Sequence, residues 1–224
     1  CGICPVSHHL AAAKALDTVV GARPITATAE KMRRLMHYGQ VMQSHALHFF
    51  HLSSPDLLFG FESDVGRRNI VGVAEAHPEV ARQGVALRRF GQQVIQATAG
   101  KRIHGTAAVP GGINMHLDRA DRDALAAEAD RMVGWAAEAV ALVRRLHETD
   151  PALYDRFGRF ESPLLSSVRG DGALDLYDGH LRLRDADGAI LRDGVAVDDY
   201  MDFITEAVKP WSYMKFPYVT EMGP

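Results

Sequence analysis

Four stretches of this chain, about residues 5–20, 26–51, 78–100 and 118–147, repeat their apolar residues at intervals of three and four. That period belongs to an α-helix, and several such stripes in succession must bury themselves against one another. In the first, Val6, Leu10, Ala13, Leu16 and Val20 recur, with Pro5 suited to the opening turn and Gly21 to the close. The second opens at Thr26 or Thr28 and carries Met32, Leu35, Met36, Met42, Leu47 and Phe50 to about His51, where Ser53, Ser54 and Pro55 are expected to end it. Pro78 begins the third, which presents Val80, Val85, Leu87, Val94 and Ile95 before Gly100. Asp118 or Asp121 caps the fourth, an Ala-rich run with Leu125, Met132, Trp135, Val140, Leu142 and Val143 that reaches about His147. Between the last two, His104, Pro110, Gly111 and Gly112 crowd too many helix breakers together, and an ordered loop or short strands are expected.

Beyond residue 150 the pattern changes. Asp178-Gly179, Asp187-Gly188 and Asp193-Gly194 punctuate Leu174–Val197, and Leu181 and Leu183 alternate with Arg182 and Arg184, the signature of hairpins with period-2 strands. A short helix over about Asp199–Val208 is expected to follow. The fold class is therefore mainly α: a helical-bundle core over residues 1–150 with a small β-meander appendage over about 170–197. With 224 residues the chain is long enough to bury a sizeable interior.

Charge narrows the function classes. The 25 Lys and Arg stand against 28 Asp and Glu, a net charge of -3 without a basic block, so no footprint for nucleic acid is present. Arg33-Arg34, Arg88-Arg89 and Arg144-Arg145 fall within helical patterns and read as solvated helix faces. No apolar run approaches the ~18 residues of a membrane span, and a chain without a secretory leader is the expectation. The chain opens on Cys1 without Met and closes on Met222-Gly223-Pro224 after an aromatic stretch, which is the expectation for an internal segment of a longer protein.

The chemistry is concentrated at the start. Cys1-Gly2-Ile3-Cys4 brings two thiols within reach of one metal, and the helix beginning at Pro5 helps to keep sulfur as thiolate. The spacing alone serves zinc knuckles, iron–sulfur sites and redox motifs equally. His8 lies one helical turn after Cys4 and can ligate a metal or donate to a thiolate. His9 is read as solvent-facing or packed. His45, His48 and His51 share helical spacing, and packed residues with satisfied hydrogen bonds are favoured there over a metal site. Asp56 is either a helix cap or a functional carboxylate. The Pro110-Gly111-Gly112 turn reads as ordinary, with a close backbone approach to a cofactor as the alternative.

Taken in order, Cys1-Gly2-Ile3-Cys4-Pro5-Val6-Ser7-His8-His9, then His48-Phe49-Phe50-His51-Leu52 leading to Asp56, then His104 with Pro110-Gly111-Gly112-Ile113-Asn114, resemble the large, catalytic subunit of [NiFe] hydrogenases. The opening wording is most similar to the cytoplasmic, bidirectional NAD-reducing branch. The resemblance implies a Ni-Fe centre with carbon monoxide and cyanide on iron, nickel held by four thiolates, Cys1 as a terminal ligand and Cys4 as a bridging one. It implies His8 hydrogen-bonded to the bridging sulfur, Asp56 in a polar canopy where it orients an arginine, and dihydrogen split heterolytically between the metals. Its partners would be a small subunit with iron–sulfur clusters and diaphorase subunits carrying flavin and the NAD site.

The departures matter equally. The family's second cysteine pair, its upstream proton-transfer glutamate and its later canopy arginine are absent from this sequence. A metal site needs its ligand count, so the isolated chain is expected to hold no functional centre and to turn over no hydrogen. Two other readings stand beside this one: a non-catalytic zinc-knuckle scaffold using Cys1, Cys4 and His8, and the quinone-site relative in respiratory complex I, against which both cysteines argue. No Gly-x-Gly-x-x-Gly follows a strand, so a nicotinamide site is expected elsewhere.

Overall fold

A computed structural model describes residues 3–224, so Cys1 and Gly2, and with them the ligand role expected for Cys1, lie outside the described residues. The described chain is mainly helical with small antiparallel sheets. It divides into two units, Cys1–Tyr154 and Asp155–Pro224.

The first unit is the helical one. Helix α1 spans Pro5–Val19 and α2 spans Ala27–Leu47, where the Thr26 hydroxyl caps the start by accepting from the Ala29 N–H. Short helices α3, Ser54–Phe59, and α4, Ile70–Ala76, follow, and α5 runs over Pro78–Ala99. Gly100 ends α5 at φ 77°, a left-handed conformation that glycine adopts without penalty. A two-residue ladder, β1 Ala108–Val109 with β2 Gly112–Ile113, precedes the long α6, Arg119–Thr149, capped by Asp118. Helix α7 covers Pro151–Arg156.

Helices α2 and α5 form the spine of this unit. They run antiparallel, since Gly39 meets Val94, Gln43 meets Gly91 and Phe50 meets Gly84. A Cβ on Gly84 would come within 2.4 Å of Phe50 Cβ, so the backbones lie at a distance only glycine permits. Ala46, Phe50, Leu87 and Met132 form the buried cluster that joins α6 to the pair, with Trp135 and Phe90 packed against it. Arg82 and Arg131 lie over the Trp135 ring, 4.8 and 5.2 Å from its centre.

Three expectations for these helices need correction. The stripe on α1 is Val6, Leu10, Ala13 and Asp17, whereas Leu16 and Val20 are exposed. Arg33 is no part of a solvated face: it is fully buried, for a reason given below. Ser53, Ser54 and Pro55 do not stop the second helical run. A single turn of π-helix, His48–Ser53, bridges α2 to α3, and Pro55 sits in the first turn of α3, where its missing N–H costs nothing. Ser54 Oγ donates to the Phe50 carbonyl at 2.7 Å and so secures that junction.

The second unit is built from antiparallel pairs. Strands β3 Leu164–Val168, β4 His180–Arg184 and β5 Ile190–Val195 form one sheet in that order. Asp187-Gly188 makes the tight β4–β5 turn, but Asp193-Gly194 lies inside β5, where the register slips and Gly194 takes φ 66°; it is a bulge and not a turn. The helix expected over 199–208 stops early. Only α8, Tyr200–Phe203, is helical, and Ile204–Val208 becomes β6, paired with β7, Lys215–Val219. The β-branched Ile204, Thr205 and Val208 suit the ladder, which satisfies backbone groups that an isolated short helix would leave open. Val168, Tyr177, Leu183 and Phe203 are the buried apolar residues of this unit. Among the described residues no helix is long and apolar enough to cross a membrane.

Candidate metal centre

Cys4 occupies the position just before the first turn of α1, with φ -125° and ψ 47°, and no side chain caps the helix there. Its thiol is free and half-buried. It stands at the N-terminal end of a 15-residue helix, and its sulfur takes no capping hydrogen bond from the first turn. His8 stands one turn further along. Its backbone N–H donates to the Cys4 carbonyl at 3.3 Å, while its imidazole is exposed to solvent. The bond expected from that imidazole to the sulfur remains a proposal.

What fixes α1 is a set of polar contacts that begins one residue after His8. His9 turns inward, and its Nε2 accepts from the Ala108 N–H at 3.2 Å, tying α1 to β1. Burial, reinforced by the Arg33 charge, holds the imidazole below its ordinary pKa, which keeps it the neutral acceptor this bond needs. Asp17, two turns on, meets the buried Arg33 of α2. Arg33 Nη1 donates to Asp17 Oδ2 at 2.6 Å and Nη2 to Oδ1 at 3.2 Å. The remaining donors go to the β1–β2 turn, with Nη2 reaching the Val109 carbonyl at 2.8 Å and Nε the Gly112 carbonyl at 3.1 Å. The Gly111 N–H completes the group by donating to Asp17 Oδ1 at 2.7 Å. Burial pushes the Asp17 carboxyl up, but the Arg33 and Gly111 hydrogen bonds and the arginine charges outweigh it and hold the group below the usual carboxylate range.

The Pro110-Gly111-Gly112 turn thus approaches a buried ion pair closely. Nothing in the charge-doublet appearance of Arg33-Arg34 signals this, but helical spacing does. Arg33 falls in register with Ala29, Met36, Gln40 and Gln43, all of which are buried. Gln40 carries the same logic to the thiol loop, where its Nε2 donates to the Ile3 carbonyl at 3.1 Å.

Asp56 lies in the first turn of α3, and its Oδ1 is 3.3 Å from Arg68 Nε, on the loop before α4. Arg68 also donates to the Phe61 carbonyl. The carboxylate keeps nearly half its side-chain surface exposed. His45 Nδ1 contacts the Val41 carbonyl of its own helix at 2.8 Å, His48 is exposed, and burial holds His51 below its ordinary pKa. The histidines are therefore not the uniformly packed set expected. His104 is exposed, with a positive φ of 55°.

Among the described residues no three His, Cys, Asp or Glu side chains gather as a metal site. Cys4, His8 and Asp56 therefore do not constitute one together. The donor chemistry fits nickel as a contribution to a larger set, because a free thiol is the soft ligand such a metal takes. Gln40 Oε1, buried and without a hydrogen-bond partner among the described residues, marks the same end of α1 as unfinished.

Comparison with known proteins gives the frame for these residues. Residues 1–59 match the nickel-dependent hydrogenase family. The chain is 42% identical to the NAD-reducing hydrogenase HoxS subunit beta of Cupriavidus necator, an alignment covering all of this chain and 48% of that protein. It is 40% identical to a polypeptide of the F420-non-reducing hydrogenase vhu of Methanocaldococcus jannaschii, over all of this chain and 53% of that one. Among solved structures, an NAD+-reducing [NiFe]-hydrogenase in the H2-reduced state superposes with a TM-score of 0.96 at 57% identity, covering 100% of this chain and 49% of that chain. The Ni-Fe-Se hydrogenase of D. vulgaris Hildenborough shares the fold at a TM-score of 0.71 and 21% identity, over 93% of this chain and 44% of its own. The chain spans about half the length of the curated relatives it matches. In its opening motif, in its helical fold and in sequence from one end to the other, the chain is similar to about half of these nickel-dependent hydrogenase subunits.

Proposed function

We propose that this chain is part of the large, catalytic subunit of a [NiFe] hydrogenase of the NAD-reducing type. In this reading Cys1 and Cys4 would hold the nickel of a Ni-Fe centre through their thiolates, its iron carrying carbon monoxide and cyanide. The bimetallic centre supplies the heterolytic cleavage of dihydrogen. Electrons leave through iron–sulfur clusters of a small subunit towards diaphorase subunits with flavin and the NAD site, in the cytoplasm. The observation that carries the reading is the free, half-buried Cys4 thiol at the uncapped start of α1, within the very motif that matches the family.

The chain's own residues have separate tasks. Cys4 offers its sulfur at the N-terminal end of a helix, as a soft ligand for nickel. His8 stands on the next turn, exposed and able to donate to sulfur once the site is covered. Asp56 holds a carboxylate with Arg68 beside it and water access, as a residue handling protons or orienting a cation requires. The Asp17–Arg33 pair, in contrast, touches no reacting group; it fixes the direction of α1.

Metal analysis of the complete subunit carrying this sequence tests the reading. Nickel and iron with infrared bands of bound carbon monoxide and cyanide are expected, and Cys4→Ser is expected to abolish them. Stoichiometric zinc without nickel would establish the zinc-knuckle alternative instead. The 224-residue chain by itself is expected to reduce neither NAD nor viologen with hydrogen, since no three-donor group assembles among its described residues. Turnover by that chain would refute the incomplete ligand set.

A further inference from the structure

Polar contacts from α2 and the β1–β2 ladder hold α1 and the residue stretch before it, and they are not equivalent. Asp17 is locked by Arg33 and Gly111, and His9 by the Ala108 N–H. At the thiol end the described contact from another helix is the single bond from Gln40 Nε2 to the Ile3 carbonyl, one residue before Cys4. Gln40 is 2% exposed, on the inward face of α2 beside the wholly buried Met36. Its Oε1 is buried and has no partner among the described residues.

A buried amide whose oxygen meets no partner among the described residues is a poor choice for packing alone. Methionine has nearly the same length and would fill the position without desolvating an oxygen. Gln40 is therefore explained by the one bond it makes. We propose that Gln40 is the positioning residue of the Cys1–Cys4 loop, its side-chain N–H holding the Ile3 carbonyl so that the Cys4 thiol keeps a fixed direction before and after a metal arrives. It touches neither sulfur nor substrate and acts only through the loop.

Two measurements test this, and only the second rests on the hydrogenase reading. In the metal-free complete subunit carrying this sequence, alkylation of Cys4 by iodoacetamide, followed by peptide mapping, reports the freedom of the loop. Gln40→Met is expected to speed it about fivefold, the factor by which loss of one buried hydrogen bond shifts a local opening. Gln40→Glu, which keeps an acceptor and deletes the donor, is expected to do the same. Thr98→Val removes a buried hydroxyl that bonds only within α5 and is expected to leave the rate unchanged, separating positioning from general destabilisation. In the complete subunit, Gln40→Met is expected to lower nickel affinity about 10-fold or more and to shift the carbon monoxide and cyanide infrared bands. Unchanged alkylation with both Gln40 variants would overturn the proposal, as would an unshifted infrared spectrum with full nickel. A parent subunit that takes up no nickel would defeat the hydrogenase reading, while the alkylation result would still decide on Gln40.

Discussion

The chain holds two Arg–Asp pairs whose chemistry is identical and whose surroundings are not. Asp17 and Arg33 are both buried, and the guanidinium donates to the Asp17 carboxylate and to the Val109 and Gly112 carbonyls. Asp56 and Arg68 meet across 3.3 Å with much of the carboxylate in water. A buried pair survives only when its hydrogen bonds are complete, and completeness leaves nothing for a substrate. An exposed pair is weakly held, and its carboxylate is free to accept another partner. The first pair is thus scaffold and the second is available for chemistry, a division that burial makes and residue type does not.

The largest effect should come from breaking the buried pair. Arg33→Met leaves Asp17 charged in the interior and strands the Val109 and Gly112 carbonyls, so it should cost about 3–5 kcal/mol in denaturant unfolding. Asp17→Asn combined with it should cost less than the two changes summed, because each removes the reason for the other. A loss near zero for Arg33→Met would show that the pair does not hold α1.

A smaller and graded effect follows from pH. The Asp17 carboxyl lies below its unfolded value, so its stabilisation is complete above the usual carboxylate range and is lost as pH falls through the depressed value. His9 and His51 are also held below their ordinary value, by burial first. Their folded forms prefer to be neutral, so the stability they support is complete above about pH 6.5 and declines as pH drops below it. Denaturation midpoints taken across this range should fall in two stages, the milder-acid stage reduced by His9→Asn and the stronger-acid stage by Asp17→Asn. A single stage insensitive to either variant would remove the electrostatic account of α1.

The contrast between the pairs also explains what the sequence makes legible. The helical stripes set α1, α2, α5 and α6 to within a few residues, since each has a long period and a start signal, proline in α1 and α5 and a capping side chain in α2 and α6. The thiol motif and Asp56 stand out because their neighbours are apolar or breakers. Asp17 and Arg33 do not, because a charged residue in an apolar register looks like an interruption until its partner is known, and the partner here comes from 16 residues away and from a turn 76 to 79 residues away. The π-turn at His48–Ser53 is hidden for the opposite reason: Pro55 normally stops a helix, and only the extra residue in that turn lets the chain continue. Ile204–Val208 is misread as helix because a five-residue run takes its structure from its pairing partner, Lys215–Val219, and not from its own period.

The smallest stability effect should belong to the exposed pair, and there it separates the two roles most sharply. Asp56→Asn removes a charge that water already screens and one contact of 3.3 Å, so unfolding should change by less than about 1 kcal/mol. Asn keeps the size and one acceptor but can neither carry a proton at neutral pH nor balance the Arg68 charge. On the proposed hydrogenase reading, the same change in the complete subunit should therefore lower hydrogen turnover about 10-fold or more while nickel content stays at the parent level. Arg68→Met should follow it in direction, because without the guanidinium the carboxylate has no described side chain to hold its orientation. Should Asp56→Asn destabilise the fold as strongly as Arg33→Met and leave turnover intact, burial would have misjudged both pairs, and the carboxylate at the start of α3 would be a structural cap after all.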